Sequence, residues 1–353
     1  MKKLLLATAV AALSVSAANA APTVYGKAFL ALDYVNAEFD SNLPGNDLDE
    51  DTVEINSHSS RLGFKGSEAM TANTDVIYQL EYGTSIDGDN ATFSNRDTYL
   101  GLNNKQFGEF RVGKNQSSLD RVNNVVVNEG YWDNMGNNSM ENETVEALNM
   151  ADSGRINSSV IWTAPKYNNL PLELSAMYSS DDQNGNDDAG FGVAMMFDQG
   201  TGFTAGVAYD KDQNIDGDII RGTATVDLGK YIAAPVKLGA LYQVADYDFT
   251  GSEKEKGLVV SAQMALANFA RPASIYTQYN KTDNLGGFDN AESDQIVVGG
   301  KYFFKDNIIM HAYAGMNKAD NIGLAYVDID GEMAVAGGDA EVFVVGSGLE
   351  YKF

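Results

Sequence analysis

Two sets of charged residues could act on each other. Between Asn115 and Gly154 a polar stretch rich in Asn and Glu carries Asp120, Glu129, Asp133, Glu141, Glu143 and Glu146. In the flanking segments Arg61, Lys65, Arg96, Arg111 and Arg155 alternate with apolar neighbours and so share one face of extended chain. Carboxylates facing such cations across a narrow, wet gap set up a transverse field that orders water and orients dipolar solutes. Taken singly, each carboxylate reads equally well as a solvated loop charge; for Arg61, Arg96 and Arg111 the reading as wall residues far from any gap is the less favoured one.

Catalytic chemistry finds less to work with. His58, near a Ser-rich turn, and His311, in IIMHAYAG, are the two histidines, and there is no cysteine. A histidine-dependent hydrolase needs a nucleophile and an orienting acid at defined places, and the many serines and acids here single out none. The chain is not expected to be an enzyme. Without cysteine, neither disulfides nor a Cys-based zinc site can contribute, so hydrogen bonds and packing must hold the fold.

The formal charge of −25 makes nucleic acid an improbable partner. Lys2 and Lys3, the apolar run Leu4 to Val15 and Ala18-Asn19-Ala20 have the layout of a secretory signal peptide, residues 1–20, which would leave a mature chain over 21–353. Its apolar run is too short to span roughly 30 Å of hydrocarbon, and no later run reaches the ~18 apolar residues of a spanning helix. The remainder is rich in Gly, Tyr and Phe and poor in Pro, with no linker to divide it, which suits one large closed sheet.

The elements that must position the charges are strands. In TVYGKAFLALDYV, Val24, Leu30, Leu32 and Tyr34 share one face, while Lys27, Ala31 and Asp33 lie on the other with Tyr25 and Phe29. In SRLGFKGSEAMTANTDVIYQLEYG, Leu62 and Phe64 oppose Arg61 and Lys65, and Val76, Tyr78, Leu80 and Tyr82 oppose Asp75, Gln79 and Glu81. NRDTYLGLNNKQFGEFRVGKNQ repeats the hairpin, and short turns alternate with long polar connections throughout. The acidic segment Glu38 to Asp51 reads as an exposed loop. Counting the candidate strands to the chain end gives about 16, an even number as an up-and-down barrel requires. The last strand, EVFVVGSGLEYKF, places Leu349, Tyr351 and the terminal Phe353 on one face.

The fragments VYGKAFLALDY, SRLGFKGSEAMTANTDVIYQLEYG, NRDTYLGLNNKQFGEFRVGK and RINSSVIWTAP resemble, in that order, the N-terminal strands of the Gram-negative general porins of the neisserial and burkholderial type. The resemblance implies an all-β, transmembrane antiparallel barrel of about 16 strands in the outer membrane, assembled as a homotrimer, with residues 115–154 in the place of an inward-folding third external loop. It favours Arg61, Arg96 and Arg111 as wall residues of a constriction. It also makes Leu349, Tyr351 and Phe353 similar to an outer-membrane assembly signal.

A barrel of that size leaves an aqueous channel, and the long loop is the segment able to narrow it. The function expected is passive diffusion of ions and small hydrophilic solutes, with cations favoured by the acidic loops. Asp181, Asp182, Asp187 and Asp188 offer oxygen ligands suited to Ca²⁺ or Mg²⁺, which could bridge to lipopolysaccharide, although solubilising loop acids are the plainer reading; no other metal or cofactor is expected. A substrate-specific channel would need a lumenal aromatic or basic series, and Tyr25, Phe29 and Phe303 form none. An exported soluble β-sandwich would show the same alternation.

Overall fold

The computed structural model describes residues 22–42, 45, 47–88, 93–133, 148–152, 154–166, 170–180, 189–329 and 332–353, with the side chains of 323–336 left aside. The expected signal peptide, Glu141, Glu143 and Glu146, and Asp181, Asp182, Asp187 and Asp188 lie outside the described residues.

The chain forms one antiparallel sheet. Its strands in order are β1 (Thr23–Ser41), β2 (Leu48–Ser57), β3 (Arg61–Ala69), β4 (Thr74–Gly83), β5 (Ser94–Asn104), β6 (Gly108–Gln116), β7 (Arg155–Thr163), β8 (Leu172–Ser179) and β9 (Phe191–Asp198). They continue as β10 (Phe203–Lys211), β11 (Gly217–Asp227), β12 (Val236–Tyr247), β13 (Glu255–Leu266), β14 (Ala273–Asp283), β15 (Glu292–Lys305), β16 (Ile308–Ile329) and β17 (Glu332–Lys352). From β3 onward each strand pairs with the next, and β1 pairs with β17 from Lys27↔Lys352 to Ser41↔Gly338, which closes the cylinder. Closure removes the unpaired strand edges that hydrocarbon could not solvate.

β2 and β3 are two halves of one stave. The later part of β1 pairs with β2 (Leu30↔Ser57 to Phe39↔Leu48), and its start pairs with β3 (Thr23↔Lys65 to Lys27↔Arg61). The break falls at 58–60, where Ser59 takes a φ of 50°. There Ser60 Oγ accepts the Phe29 amide proton at 3.0 Å, replacing a ladder bond that the break interrupts. Counted by stave, the barrel has sixteen strands, as the alternation predicts.

One sequence expectation fails. Glu38 to Asp51 is not a loop: β1 runs on to Ser41 and β2 begins at Leu48. Acidic residues are tolerated because polar partners sit across the pair, with Tyr34 Oη and Asn36 Nδ2 donating to Asp51 Oδ1 at 2.7 and 3.1 Å. β17 likewise begins well before the expected 341–353 strand and pairs with β16 as a long hairpin.

The two faces of the sheet separate cleanly. Leu30, Leu32, Leu100, Val112, Val160, Tyr242, Val260, Val298, Val345 and Leu349 are exposed on the outside, forming an apolar belt. Their alternates Phe29, Asp33, Arg221, Gln243, Gln278, Gln295 and Asn317 are buried on the inside. Buried polar groups on the inner face need partners, and the segment after β6 supplies them.

Candidate functional site: a charged wall facing a tethered loop

The described residues between β6 and β7, 117–133, 148–152 and 154, lie against the inward side chains of β9 to β17. The first limb opens with a 3₁₀ turn, Leu119–Val122, whose Leu119 and Val122 pack with Ala194, Ala208 and Ile219. Val125 and Met150 meet Leu241 and Val259, while Tyr131 and Trp132 join Phe29, Tyr313 and Val344. The loop backbone lacks a ladder, so wall side chains satisfy it. Gln278 Oε1 accepts from the Val127 amide at 2.9 Å, Glu255 Oε1 from Ala151 at 2.9 Å and Asn214 Oδ1 from Gly154 at 2.7 Å. Ser261 Oγ donates to the Val125 carbonyl and Gln243 Nε2 to that of Ala151, each at 2.5 Å.

Arg221 on β11 grips both limbs. Its side chain is fully buried; Nε donates to Gln243 Oε1 at 2.8 Å, one terminal nitrogen to Asn123 Oδ1 at 2.8 Å and the other to Asp152 Oδ1 at 3.1 Å. Guanidinium geometry allows three partners at fixed angles, which an ammonium would not hold as a planar set. At the far turn, Gly130 has a φ of 68° and sits so close to the Tyr313 ring that no side chain fits there. Trp132 lies over Gly315, where a Cβ would come within 2.6 Å of the indole, and its Nε1 points to the Val344 carbonyl at 3.4 Å.

The opposite wall, β3 to β7, keeps its cations. Arg96 Nε donates to Glu81 Oε1 at 2.8 Å, Arg61 Nε lies 3.9 Å from Glu81 Oε2, and Tyr25 Oη donates to the same carboxylate at 2.9 Å. Arg111 pairs with Glu109 at 2.6 Å and lies 4.5 Å over the Tyr99 ring, while Lys65 lies 4.9 Å over that of Tyr25. Arg155 Nε donates to Asp97 Oδ1 at 2.9 Å. Lys114 shares the electrostatic neighbourhood of Arg155 and Arg96, without a carboxylate in ion-pair range among the described residues.

Thus Arg61, Arg96, Arg111 and Arg155 are answered chiefly by wall acids rather than by the loop. Of the loop carboxylates, Asp120 feels Asp152, Arg155, Arg221 and Asp97; burial pushes its carboxyl up, Asp152 adds to the rise and the two arginines oppose it. Glu129 is ion-paired with Lys301 of β15, and Asp133 stands near Glu129, Lys27 and Lys301.

Sequence reasoning missed Glu81, Asp97, Glu109, Lys114, Lys301 and Arg221 as members of this set. For Glu81 and Glu109 the inward alternation was the available signal. Asp97 carries none, because a register shift between Leu80 and Tyr82 in the β4–β5 ladder lets both Arg96 and Asp97 reach inward partners.

Among the described residues, neither histidine has a hydrolase constellation around it. His58 Nε2 lies 2.9 Å from Asp33 Oδ2, while Tyr313 Oη donates to Asp33 Oδ1 at 2.6 Å; the group packs under Tyr131. His311 is buried 3.6 Å from Glu350, with its ring 4.6 Å from that of Phe29.

Comparison with known proteins fits this architecture. Major outer membrane protein P.IB of Neisseria gonorrhoeae is 28% identical over 335 residues, covering 86% of this chain and 90% of that protein. The anion-selective porin from Comamonas acidovorans superposes with a TM-score of 0.67 at 16% identity, over 95% of this chain and 100% of the other. The trimer form of OmpT, an outer membrane protein of Vibrio cholerae, gives a TM-score of 0.60 at 17% identity, over 94% and 100%. Residues 7–322 match the Gram-negative porin family. The chain belongs to that family, as a non-enzymatic diffusion channel of the outer membrane built on a sixteen-stranded barrel.

Proposed function

We propose that this channel is narrowed where residues 115–154 face the basic wall of β3 to β7, and that small hydrophilic solutes and ions cross there by passive diffusion. What supports the reading is that these side-chain tethers of the described loop run to β11, β13 and β14 rather than to β3 to β7, the strands that carry Arg61, Arg96, Arg111 and Arg155. Wall acids Glu81, Asp97 and Glu109 and loop acids Asp120, Glu129 and Asp133 set the local field, with Glu141, Glu143 and Glu146 adding to the loop side. The net charge of −25 supports a preference for cations.

Deleting residues 124–146 tests this. Single-channel conductance should rise and selectivity flatten while the barrel still assembles. Unchanged conductance would put the constriction elsewhere.

The protein is proposed to act as a homotrimer, on the strength of its trimeric structural relative, with lipid against the apolar belt and lipopolysaccharide at the loop end. Cleavage after Ala20 would release the working chain, which intact mass would read. Leu349, Tyr351 and Phe353 serve as the proposed assembly signal. Their rings and side chains are exposed on the outer face, and Phe353 exchanges backbone hydrogen bonds with Gly26 at 3.0 and 3.1 Å.

A further inference from the structure

At the short-turn end of the barrel, under the first turn of the loop, lies a polar cavity of about 390 Å³. Its wall comes from the β5–β6 turn, the residues 163–166 that end β7 and follow it, the start of β8 and the first turn of the loop, and it brings together Lys105, Arg111, Arg121 and Lys166 with Glu109 and Glu173. Four cations against two carboxylates leave a local formal excess of two positive charges inside a chain of net charge −25. Short turns face the periplasm in barrels of this class, so the cavity opens at the periplasmic mouth.

The two arginines are differently engaged. Arg111 spends one edge on Glu109 at 2.6 Å and is held flat on Tyr99, which fixes the plane of the guanidinium. Arg121 reaches Glu173 only at 3.8 Å, beyond hydrogen-bond range, so that pair does not saturate its donors. Lys166 is exposed and has no ion-pair partner among the described residues, while Lys105 donates to the Ala72 carbonyl at 2.9 Å and keeps its charge. Guanidinium groups with unfilled donor positions match an oxyanion's geometry, and the flanking ammonium groups supply charge without fixed direction. The volume falls in the range of roughly 300–1,000 Å³ usual for small-molecule pockets.

We propose that this cavity is a binding site for a small divalent oxyanion, lying on the periplasmic side of the proposed constriction, with which it shares Arg111 and Glu109, and entered from the periplasm. The proposal rests on the diffusion-channel reading, because occupancy is to be read through the pore. A bound dianion would neutralise the excess charge and sit in the ion path beneath the loop.

The test is planar-bilayer recording of the full protein in KCl, with sulfate added to each chamber in turn at constant ionic strength. Sulfate is dianionic throughout the accessible pH range, and methanesulfonate supplies a monovalent tetrahedral control. Saturable reduction of conductance by sulfate, from one chamber at lower concentration than from the other, is expected, with methanesulfonate at least tenfold weaker. The R121Q/K166Q double substitution should raise the half-saturating sulfate concentration at least tenfold, whereas E173Q should lower it by removing the competing carboxylate. A linear, symmetric response, equal action of methanesulfonate, or no difference between the variants and the parent would overturn the site. Should the double variant fail to insert, sulfate must still raise the thermal transition of the parent trimer more than methanesulfonate does, and equal shifts refute the proposal. Absence of conductance steps before any sulfate is added would instead count against the channel reading itself.

Discussion

A carboxylate inside a barrel titrates by its surroundings more than by its type. Asp120 sits partly buried beside Asp152, with Arg155 and Arg221 in opposition, and the balance leaves its carboxyl above the usual carboxylate range. As pH falls, Asp120 therefore takes up its proton before a free aspartate would. In the folded chain its ionised form is the less favoured one, so this group adds stability as pH drops through its raised pKa and withdraws it as pH climbs back. The same proton removes a negative charge from the loop. Reversal potentials in a KCl gradient should accordingly shift towards anions on acidification, starting above the pH at which ordinary carboxylates titrate, and Asp120→Asn should remove part of that shift, the rest falling to Asp133, whose carboxyl burial pushes up to about 6. An unaltered profile in the variant would assign it to other acids. How far such residues were legible is instructive: Arg61, Lys65 and Arg111 could be found from alternation, since period 2 fixes a face. Alternation cannot say what stands opposite, which is why Glu81 and Glu109 were visible as inward residues but not as partners, and why Asp97, displaced by a ladder irregularity, was not visible at all.

The loop behaves as an element because the wall holds it at separated points. Two of its limbs, far apart in sequence, meet on a single side chain: Arg221 binds Asn123 and Asp152 at once, and Gln243 supports the arrangement from β12. Removing one partner of a buried charged pair costs about 3–5 kcal/mol, since the other is left without compensation. Arg221→Ala should therefore free both limbs while sparing the ladder, as β11 keeps its backbone pairing with β10 and β12. The expected result is noisier, larger conductance and proteolytic cleavage within 123–152, with the proposed homotrimer still assembling. Arg221→Lys, keeping charge but losing the fork, should lie between. Conductance equal to the parent in the alanine variant would mean that the other tethers suffice. Sequence alone placed the loop correctly between its strands, through its length and polarity. It could not nominate Arg221, an arginine in a strand like several others, because the loop's path decides which wall positions become anchors. For the same reason β2 escaped notice: its acids look like a loop until the pairing with β1 beyond the belt supplies Tyr34 and Asn36 as partners for Asp51.

At the scale of the molecule, the proposed pore has two candidate sources of selectivity. Acidic connections at the loop end attract cations from solution, whereas the inner wall presents clustered cations paired with Glu81, Asp97 and Glu109. The sources differ in how salt reaches them. Exposed loop charges act over a Debye length of about 10 Å at 0.1 M and only ~3 Å at 1 M, so their pull on ions entering the mouth fades with concentration. The partly buried charges of the inner wall are screened much less. If the net charge of −25 governs permeation, the potassium-to-chloride permeability ratio should fall steeply between 0.1 and 1 M KCl and approach one. If the paired wall and loop groups govern it, the ratio should stay nearly constant. The expected outcome is the first, because most wall cations already have a carboxylate within 4 Å and present small net charge to the lumen. Glu81→Gln should then convert one response into the other: with Arg61 and Arg96 both uncompensated, chloride preference should emerge and persist at 1 M. A ratio insensitive to salt in the parent, together with no change in the Glu81 variant, would place the selecting charges outside both sets.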